Sequence, residues 1–347
     1  MMKRKDYKKR KKASSKTRLF LKIFLFTFLA VVAVGAAYLA KLHNQTVDVL
    51  DRSYEPLAKK DSQQELRVEP AKDKVSILLV GVDESETRQK EESHGRSDAL
   101  ILATLNPKQK SVKLVSIPRD SYVYIPEVKY KDKITHAHAY GGTAASIDTV
   151  EELFDIPINY YVKMNFNAFI DVVDALGGVE VEVPYERIEK DENDKNAIHL
   201  MPGLQRLDGR HTLALARTRK LDSDLERGKR QQMILQAMIK EATSIKSITK
   251  YGDVINALGE NMKTDMTSKQ MLSFIEYVKS GMPEVDTLSL SGYDDWSTGV
   301  YYYKLDERDL EETKQILKSH LGLIPDSSSL TELDTNQTSP PSEVAHQ

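Results

Sequence analysis

The sequence predicts an α/β fold: an α/β/α layered domain with a central mixed β-sheet, anchored by one N-terminal transmembrane helix. Short apolar, β-branched-rich runs alternate with segments of helical spacing through the middle of the chain. An apolar run over residues 19–40 is long enough to cross a bilayer. The 347 residues, 40% hydrophobic, supply a real core for one large or two ordinary domains.

The N-terminal residues 1–18, "MMKRKDYKKRKKASSKTR", hold ten of the chain's 50 Lys and Arg with a single acid and read as a basic cytoplasmic tail. The remainder carries 40 cations against 51 acids, so the body is acidic. In residues 19–40, "LFLKIFLFTFLAVVAVGAAYLA", the only charge is Lys22, near the start, where it can snorkel to the headgroups. A cleaved signal peptide competes with this reading. The uncharged part is long for one, however, and no clean A-x-A site closes it, which favours a retained signal-anchor. The positive-inside rule then places the tail inside and everything after Lys41 outside. The chain has no cysteine, so the external part folds without disulfides.

Residues 41–72 are polar with little periodicity and read as an extracellular stalk or accessory segment. The body spans 73–324, and 325–347, rich in Ser, Thr and Pro, reads as a disordered tail. Within the body, "KVSILLVGVD", "DALILATLN" and "SVKLVSIPRD" read as strands, as do "INYYVKM", "GVEVEVP", "DTLSLSG" and "GVYYYKL". "AASIDTVEELF", "NAFIDVVDAL", "DGRHTLALAR", "KRQQMILQAMIKEATS", "SKQMLSFIEYVKS" and "DERDLEETKQILKSH" read as helices. His136 and His138 alternate as on a strand, and core or structural roles suit them better than catalysis.

If the first three strands are antiparallel neighbours, Asp83, Arg96, Asp98 and Arg119 share one edge of the sheet. Strand ends are where α/β proteins commonly seat ligands, and two carboxylates are hard oxygen ligands suited to Mg²⁺. Ordinary strand-end solvation, with Arg96–Asp98 or Arg119–Asp120 surface pairs, is the alternative for each residue alone. The stretch "ARTRKLDSDLERGKRQQ" adds a second cluster. Arg217 and Arg219 stand two apart beside a helix end, and Arg227, Gln231, Ile234 and Met238 follow the spacing of one helix face, cationic at its start and apolar beyond. A guanidinium fork suits phosphate oxygens, whereas a salt-bridged solvent face is the competing reading. An acidic body with one local arginine cluster argues against nucleic acid as a partner.

"ILLVGVD", "GRSDALILATLNPKQKSVKLVSIPRDSYVYIP", "DKITHAHAYGG", "FIDVVDALGGVEVEVP", "MPGLQRLDGRHTLALARTR" and "DLERGKRQQ", in that order behind one N-terminal span, closely resemble the LytR-CpsA-Psr family of cell-envelope proteins. The resemblance implies a Mg²⁺- or Mn²⁺-dependent phosphotransferase on the outer membrane face of a Gram-positive bacterium. It would move a teichoic acid, capsular or related polymer from a polyprenyl pyrophosphate carrier to peptidoglycan. By residue, it implies Asp83 and Asp98 at the metal and Arg96 and Arg119 on phosphate. Arg217, Arg219, Arg227 and Gln231 grip the pyrophosphate, Asp224 orients an arginine, and Lys133 faces the site. Asp98, Arg119, Arg217 and Arg219 carry the catalytic burden. One departure is visible: Glu226 stands where the family commonly has glycine before the second arginine. The carrier lipid needs an apolar slot, for which Phe166, Phe169, Ile234 and Met238 are candidates, with ordinary core packing the alternative. A carrier-pyrophosphate hydrolase and a non-enzymatic, transcription-attenuator-like envelope protein are the rival functions.

Overall fold

The computed structural model describes residues 47–57, 69, 72–82, 95–191, 196–218, 224–244, 254, 257, 262–279 and 282–325. The expected tail at 1–18, the span at 19–40 and nearly all of the C-terminal tail lie outside the described residues. Among the described residues no helix is long and apolar enough to cross a membrane. The chain divides into two units, 1–48 and 49–347, and nearly everything described belongs to the second.

The apolar runs read as strands assemble into one six-stranded sheet. β1 (Val75–Val82), β2 (Ser97–Asn106) and β3 (Ser111–Ser116) form the expected antiparallel meander, with Leu79 opposite Ile101 and Ala103 opposite Leu114. β6 (Tyr160–Asn165) lies parallel to β1, β11 (Met262–Thr264) lies antiparallel to β6, and β12 (Glu284–Ser289) lies parallel to β3. The order is β11-β6-β1-β2-β3-β12, a mixed sheet.

Both faces of this sheet are covered, which is why its central strands read as continuous apolar runs rather than alternating ones. Leu78, Val80, Leu100, Leu102 and Val115 point to one side. There they meet Ile147, Val150 and Phe154 of α1 (Ile134–Phe154) and Leu317 of α6 (Glu307–Leu321). Their neighbours Ile77, Ile101, Ala103, Val112 and Leu114 point to the other side. There they meet Leu235 of α4 (Asp224–Ala242) and Met271 and Phe274 of α5 (Ser268–Lys279). A third apolar cluster lies beside the sheet. It joins α2 (Phe166–Leu176), β7 (Val179–Val183), β9 (Asn196–Leu200), β10 (Gly203–Leu207) and α3 (Gly209–Arg217) to Ile234 of α4; β8 (Arg187–Lys190) pairs with β9.

Two local outcomes depart from the expectations. Residues 134–140 are helical, so His136 and His138 lie on the first part of α1 rather than on a strand. Gly141 and Gly142 break that helix into two parts, which hides its periodicity; the expected helix from Ala144 is its second part. The 41–72 segment contributes a packed piece: Leu50 and Ser53 are buried, and Glu55 N donates to Thr264 O at 2.7 Å. Tyr161 Oη donates to Glu55 O at 2.6 Å, so residues 49–57 extend the β11 edge of the domain.

Capping fixes where the site-bearing helices start. Asn165 accepts from Ala168 N at the head of α2, and Asp208 from His211 N at the head of α3. Gly209 presses on α2 so closely that an added Cβ would overlap the carbonyl of Ile170. Gly209→Ala therefore reverses the usual helix gain from alanine. Its urea midpoint should fall, corresponding to a loss of about 1–3 kcal/mol.

Candidate functional site

β1 and β2 meet where Val82 faces Ser97, after a register shift at Gly81/Val82, so the chain enters β2 at the rim where β1 leaves. Asp98 is the second residue of β2. β3 exits at the same rim, held by Ile117 N donating to Leu100 O at 2.9 Å, and delivers Arg119 two residues later. Arg119 Nη1 meets Asp98 Oδ1 at 2.5 Å, with both side chains about one-fifth exposed. Arg119 Nε lies 3.4 Å from Asp120 Oδ2, and Asp120 Oδ1 accepts Lys133 Nζ at 2.8 Å. Burial pushes the Asp120 carboxyl up, but the hydrogen bond from Lys133 and the charges of Arg119, Lys133 and Arg227 outweigh it, and its pKa lies below the ordinary value.

The start of α1 holds this rim from below. Thr135 Oγ1 donates to Ser97 O at 2.6 Å and Thr135 N donates to Arg119 O at 3.1 Å, while His138 Nδ1 lies 3.1 Å from Gly95 O. These two residues support the backbone on either side of Arg96 and beneath Arg119. The sequence reading gave Thr135 no role, and its only local signal was the "THAHA" run, whose two-residue alternation suggests a strand rather than the helix it forms.

The second arginine cluster arrives from α3 and α4. Arg217, last residue of α3, lays its guanidinium over the Phe166 ring at 4.6 Å and donates to Asp191 O at 3.3 Å. Arg227, in the first turn of α4, is buried, and Gln231 one turn on donates to Ala216 O at 3.4 Å. Arg230 faces elsewhere, donating to Thr218 O at 2.6 Å. Glu226 pairs with Lys229 at 2.7 Å, both half-exposed, and does not line the site; its charge is turned outward. Asp83, Arg219 and the Asp224 side chain lie outside the described residues.

The two clusters meet in one cavity of about 650 Å³. Arg96, Asp98, Arg119, Arg217, Arg227 and Gln231 supply its polar wall, four guanidiniums against one carboxylate among the described residues. Phe166, Phe169, Ile234 and Met238 all line its apolar wall, as proposed for a lipid slot. The sequence reading missed the floor. Two cross-strand rows, Ile101–Leu79–Val162 and Ala99–Gly81–Met164, form it, and in sequence they look like ordinary core strands. Gly81 and Ala99 keep the second row low; a Cβ on Gly81 would sit 3.1 Å from that of Ala99. Lys133 is not part of the wall and reaches the site only through Asp120.

Among the described residues no three His, Cys, Asp or Glu side chains gather to hold a metal. The donor set still fits Mg²⁺, which is commonly held by one or two carboxylates and completes its shell with water and substrate phosphate. Asp98 is the described carboxylate, and Asp83 follows directly on the end of β1.

The model of the LytR_cpsA_psr family matches residues 41–319. The polyisoprenyl-teichoic acid–peptidoglycan teichoic acid transferase TagT of Bacillus subtilis (strain 168) is 39% identical over 321 residues, 91% of this chain and 98% of the relative. The solved structure of TagT bound to LIIa-WTA is similar with a TM-score of 0.66 at 40% identity, over 78% of this chain and 100% of that one. The LytR-CPS2A-psr family protein YwtF (TagT) with bound octaprenyl pyrophosphate lipid is similar with a TM-score of 0.62 at 37% identity, over 78% and 100% respectively.

Asp120 has a lowered folded pKa, so its contribution to stability is full above the unfolded value and is lost as pH falls through the folded one. Asp120→Asn should lose about 2 kcal/mol near neutrality, the scale of hydrogen bonds to a charged group. The gap in urea midpoint between wild type and variant should close as pH is taken below the ordinary value of 3.8.

Proposed function

The chain belongs to the LytR-CpsA-Psr family, and from that premise we propose that it transfers an anionic cell-wall glycopolymer from a polyprenyl pyrophosphate carrier to a sugar hydroxyl of peptidoglycan. One observation carries the reading: a single cavity joins an arginine wall to an apolar floor, matching a ligand that is pyrophosphate at one end and hydrocarbon beyond it. The polymer is of the teichoic acid class, as the substrate named for the B. subtilis relative supports.

Arg96, Arg119, Arg217 and Arg227 neutralise the pyrophosphate, with Gln231 beside them. The acceptor hydroxyl oxygen bonds to the phosphorus that carries the glycan, the bond from that phosphorus to the bridging oxygen breaks, the hydroxyl proton passes to the departing phosphate, and polyprenyl phosphate leaves. Such a step needs positioned charge more than a special nucleophile, which suits a wall of guanidiniums without Cys or a Ser/His pair. Asp98 holds the Arg119 guanidinium in place, and Phe166 does the same for Arg217. A divalent cation such as Mg²⁺, held by Asp98 and Asp83, would draw further charge from the phosphate oxygens. Arg219 adds to the grip and Asp224 orients an arginine, both roles resting on the family resemblance.

The 19–40 run spans the membrane with the basic tail inside, and the catalytic unit faces the cell wall of a Gram-positive bacterium. The positive-inside distribution of residues 1–18 supports this topology. Tethering keeps the cavity beside the carrier lipid and raises their effective concentration.

With the full chain in detergent, a short glycan on polyprenyl pyrophosphate, peptidoglycan fragments and Mg²⁺, a phosphodiester-linked product should form. Asp98→Ala and Arg119→Ala should each lower its rate by about 10²–10³-fold with circular dichroism unchanged. Release of glycan phosphate without linkage would instead assign a hydrolase. Met238→Trp narrows the apolar end of the cavity from its wall; displacing about two prenyl methylenes should raise the donor KM roughly tenfold with little change in kcat.

A further inference from the structure

Beside the arginine wall, on the far side of Asp120, two hairpins place aromatic rings at the surface. β4 (Tyr122–Ile125) pairs with β5 (Tyr130–Lys133), and β13 (Gly292–Asp295) with β14 (Tyr302–Leu305). Tyr303 N donates to Asp120 O at 2.9 Å, and Ser121 bridges to Tyr303, which joins the hairpins next to the catalytic rim. Across that seam Tyr122 and Tyr302 stand with ring centroids 4.7 Å apart, and Trp296 lies 5.1 Å from Tyr301. Lys133 Nζ, already bound to Asp120, sits 5.5 Å from the Tyr301 ring and 5.8 Å from that of Tyr302. The rings therefore connect to Arg119 through two side chains.

Trp296 is 65% accessible and Tyr122 is exposed, while Tyr301 and Tyr302 beside them are half-buried. A contiguous exposed aromatic patch marks an interaction site more often than chance. The patch is also held in shape. Ser297 N donates to Asp295 Oδ1 at 2.9 Å, Lys304 Nζ meets Asp295 at 2.8 Å, and Tyr301 Oη donates to Asp294 at 2.9 Å. Asp132 accepts from Tyr140 Oη at 2.7 Å and lies 2.8 Å from His136 Nδ1, fixing the neighbouring turn. Rigid hairpins lower the ordering cost of binding.

We infer that this platform of Tyr122, Tyr302, Tyr301 and Trp296 is the seat of the acceptor: it stacks on the amino-sugar backbone of a peptidoglycan strand and feeds one hydroxyl toward the Arg119 rim. Flat ring faces match the C–H faces of pyranose sugars, and the carboxylates around them match hydroxyl and amide groups. Glu127, Asp132, Asp294 and Asp295 against Lys129, Lys131, Lys133 and Lys304 leave the two hairpins without net charge, whereas four guanidiniums face one carboxylate in the cavity, so a polyanionic donor is drawn to the cavity and the platform is left to the acceptor. The identity of the occupant rests on the transferase reading; the carbohydrate site itself does not.

Trp296 is the sole tryptophan, so its emission reports on the platform directly. A short soluble peptidoglycan glycan added to the full chain in detergent should shift that emission saturably and give a matching calorimetric isotherm. Tyr122→Ala and Tyr302→Ala should weaken both by about tenfold or more and raise the acceptor KM by the same factor, with kcat and donor binding unchanged. Tyr302→Phe keeps the ring and should keep binding, which separates stacking from a folding defect. A flat emission and isotherm with the glycan would overturn the proposal, as would a response to free teichoic acid alone. If the glycan binds with the tyrosine dependence but no product forms in any assay, the platform stands and the transferase reading fails.

Discussion

The ion pair between Asp98 and Arg119 is the constraint around which the site is arranged. It ties the first turn of β2 to the exit of β3, two points 21 residues apart in sequence, at a rim where the backbone would otherwise diverge. From Arg119 the charges continue to Asp120 and Lys133, and Arg227 of α4 is close enough to depress the Asp120 carboxyl. A half-buried pair of this kind costs desolvation, and what it supplies in return is position. One guanidinium is held at the cavity wall, and the same network holds the hairpin that carries the aromatic rings.

The cavity exists because a sheet otherwise covered on both faces is left uncovered over two cross-strand rows. α4 packs on the sheet through Leu235 and Gly228, the latter so close to Ser116 that a Cβ would sit 2.7 Å from its hydroxyl. Near its start α4 instead turns Arg227 and Gln231, and farther along Ile234 and Met238, toward the opening. Small residues on the floor, Gly81 and Ala99, and bulky ones on the walls, Phe166 and Phe169, leave room for a chain of hydrocarbon rather than a packed core. In the proposed reading, phosphate and lipid meet one helix face whose character changes along its length.

Donor and acceptor chemistries are separated by charge. The cavity is cationic and apolar, while the hairpin surface is aromatic and without net charge, and Lys133 stands between them, tied to the arginine network through Asp120 and lying over the Tyr301 and Tyr302 rings. Placing the two substrates on opposite sides of a single arginine is an economical way to align a hydroxyl with a phosphorus atom, because orientation alone supplies a large share of the rate in phosphoryl transfer.

The sequence by itself determined the mixed α/β layering, the antiparallel β1-β2-β3 meander and the shared rim of Arg96, Asp98 and Arg119, because these follow from local periodicity and from where apolar runs stop. It also determined which face of α4 turns from charge to hydrocarbon, since that is a matter of helical spacing. Only the tertiary structure decided the rest. The floor residues Leu79, Ile101 and Val162 look like any buried strand, and their exposure to a cavity depends on which helix covers them. Lys133 looked like a site residue, yet its partner is Asp120, a choice set by the β4–β5 hairpin. His136 and His138 lie on a helix that Gly141 and Gly142 interrupt, which erases its period. Residues 49–57 look like linker because their contacts to β11 are made by backbone groups, and backbone hydrogen bonds leave no pattern in side-chain identity.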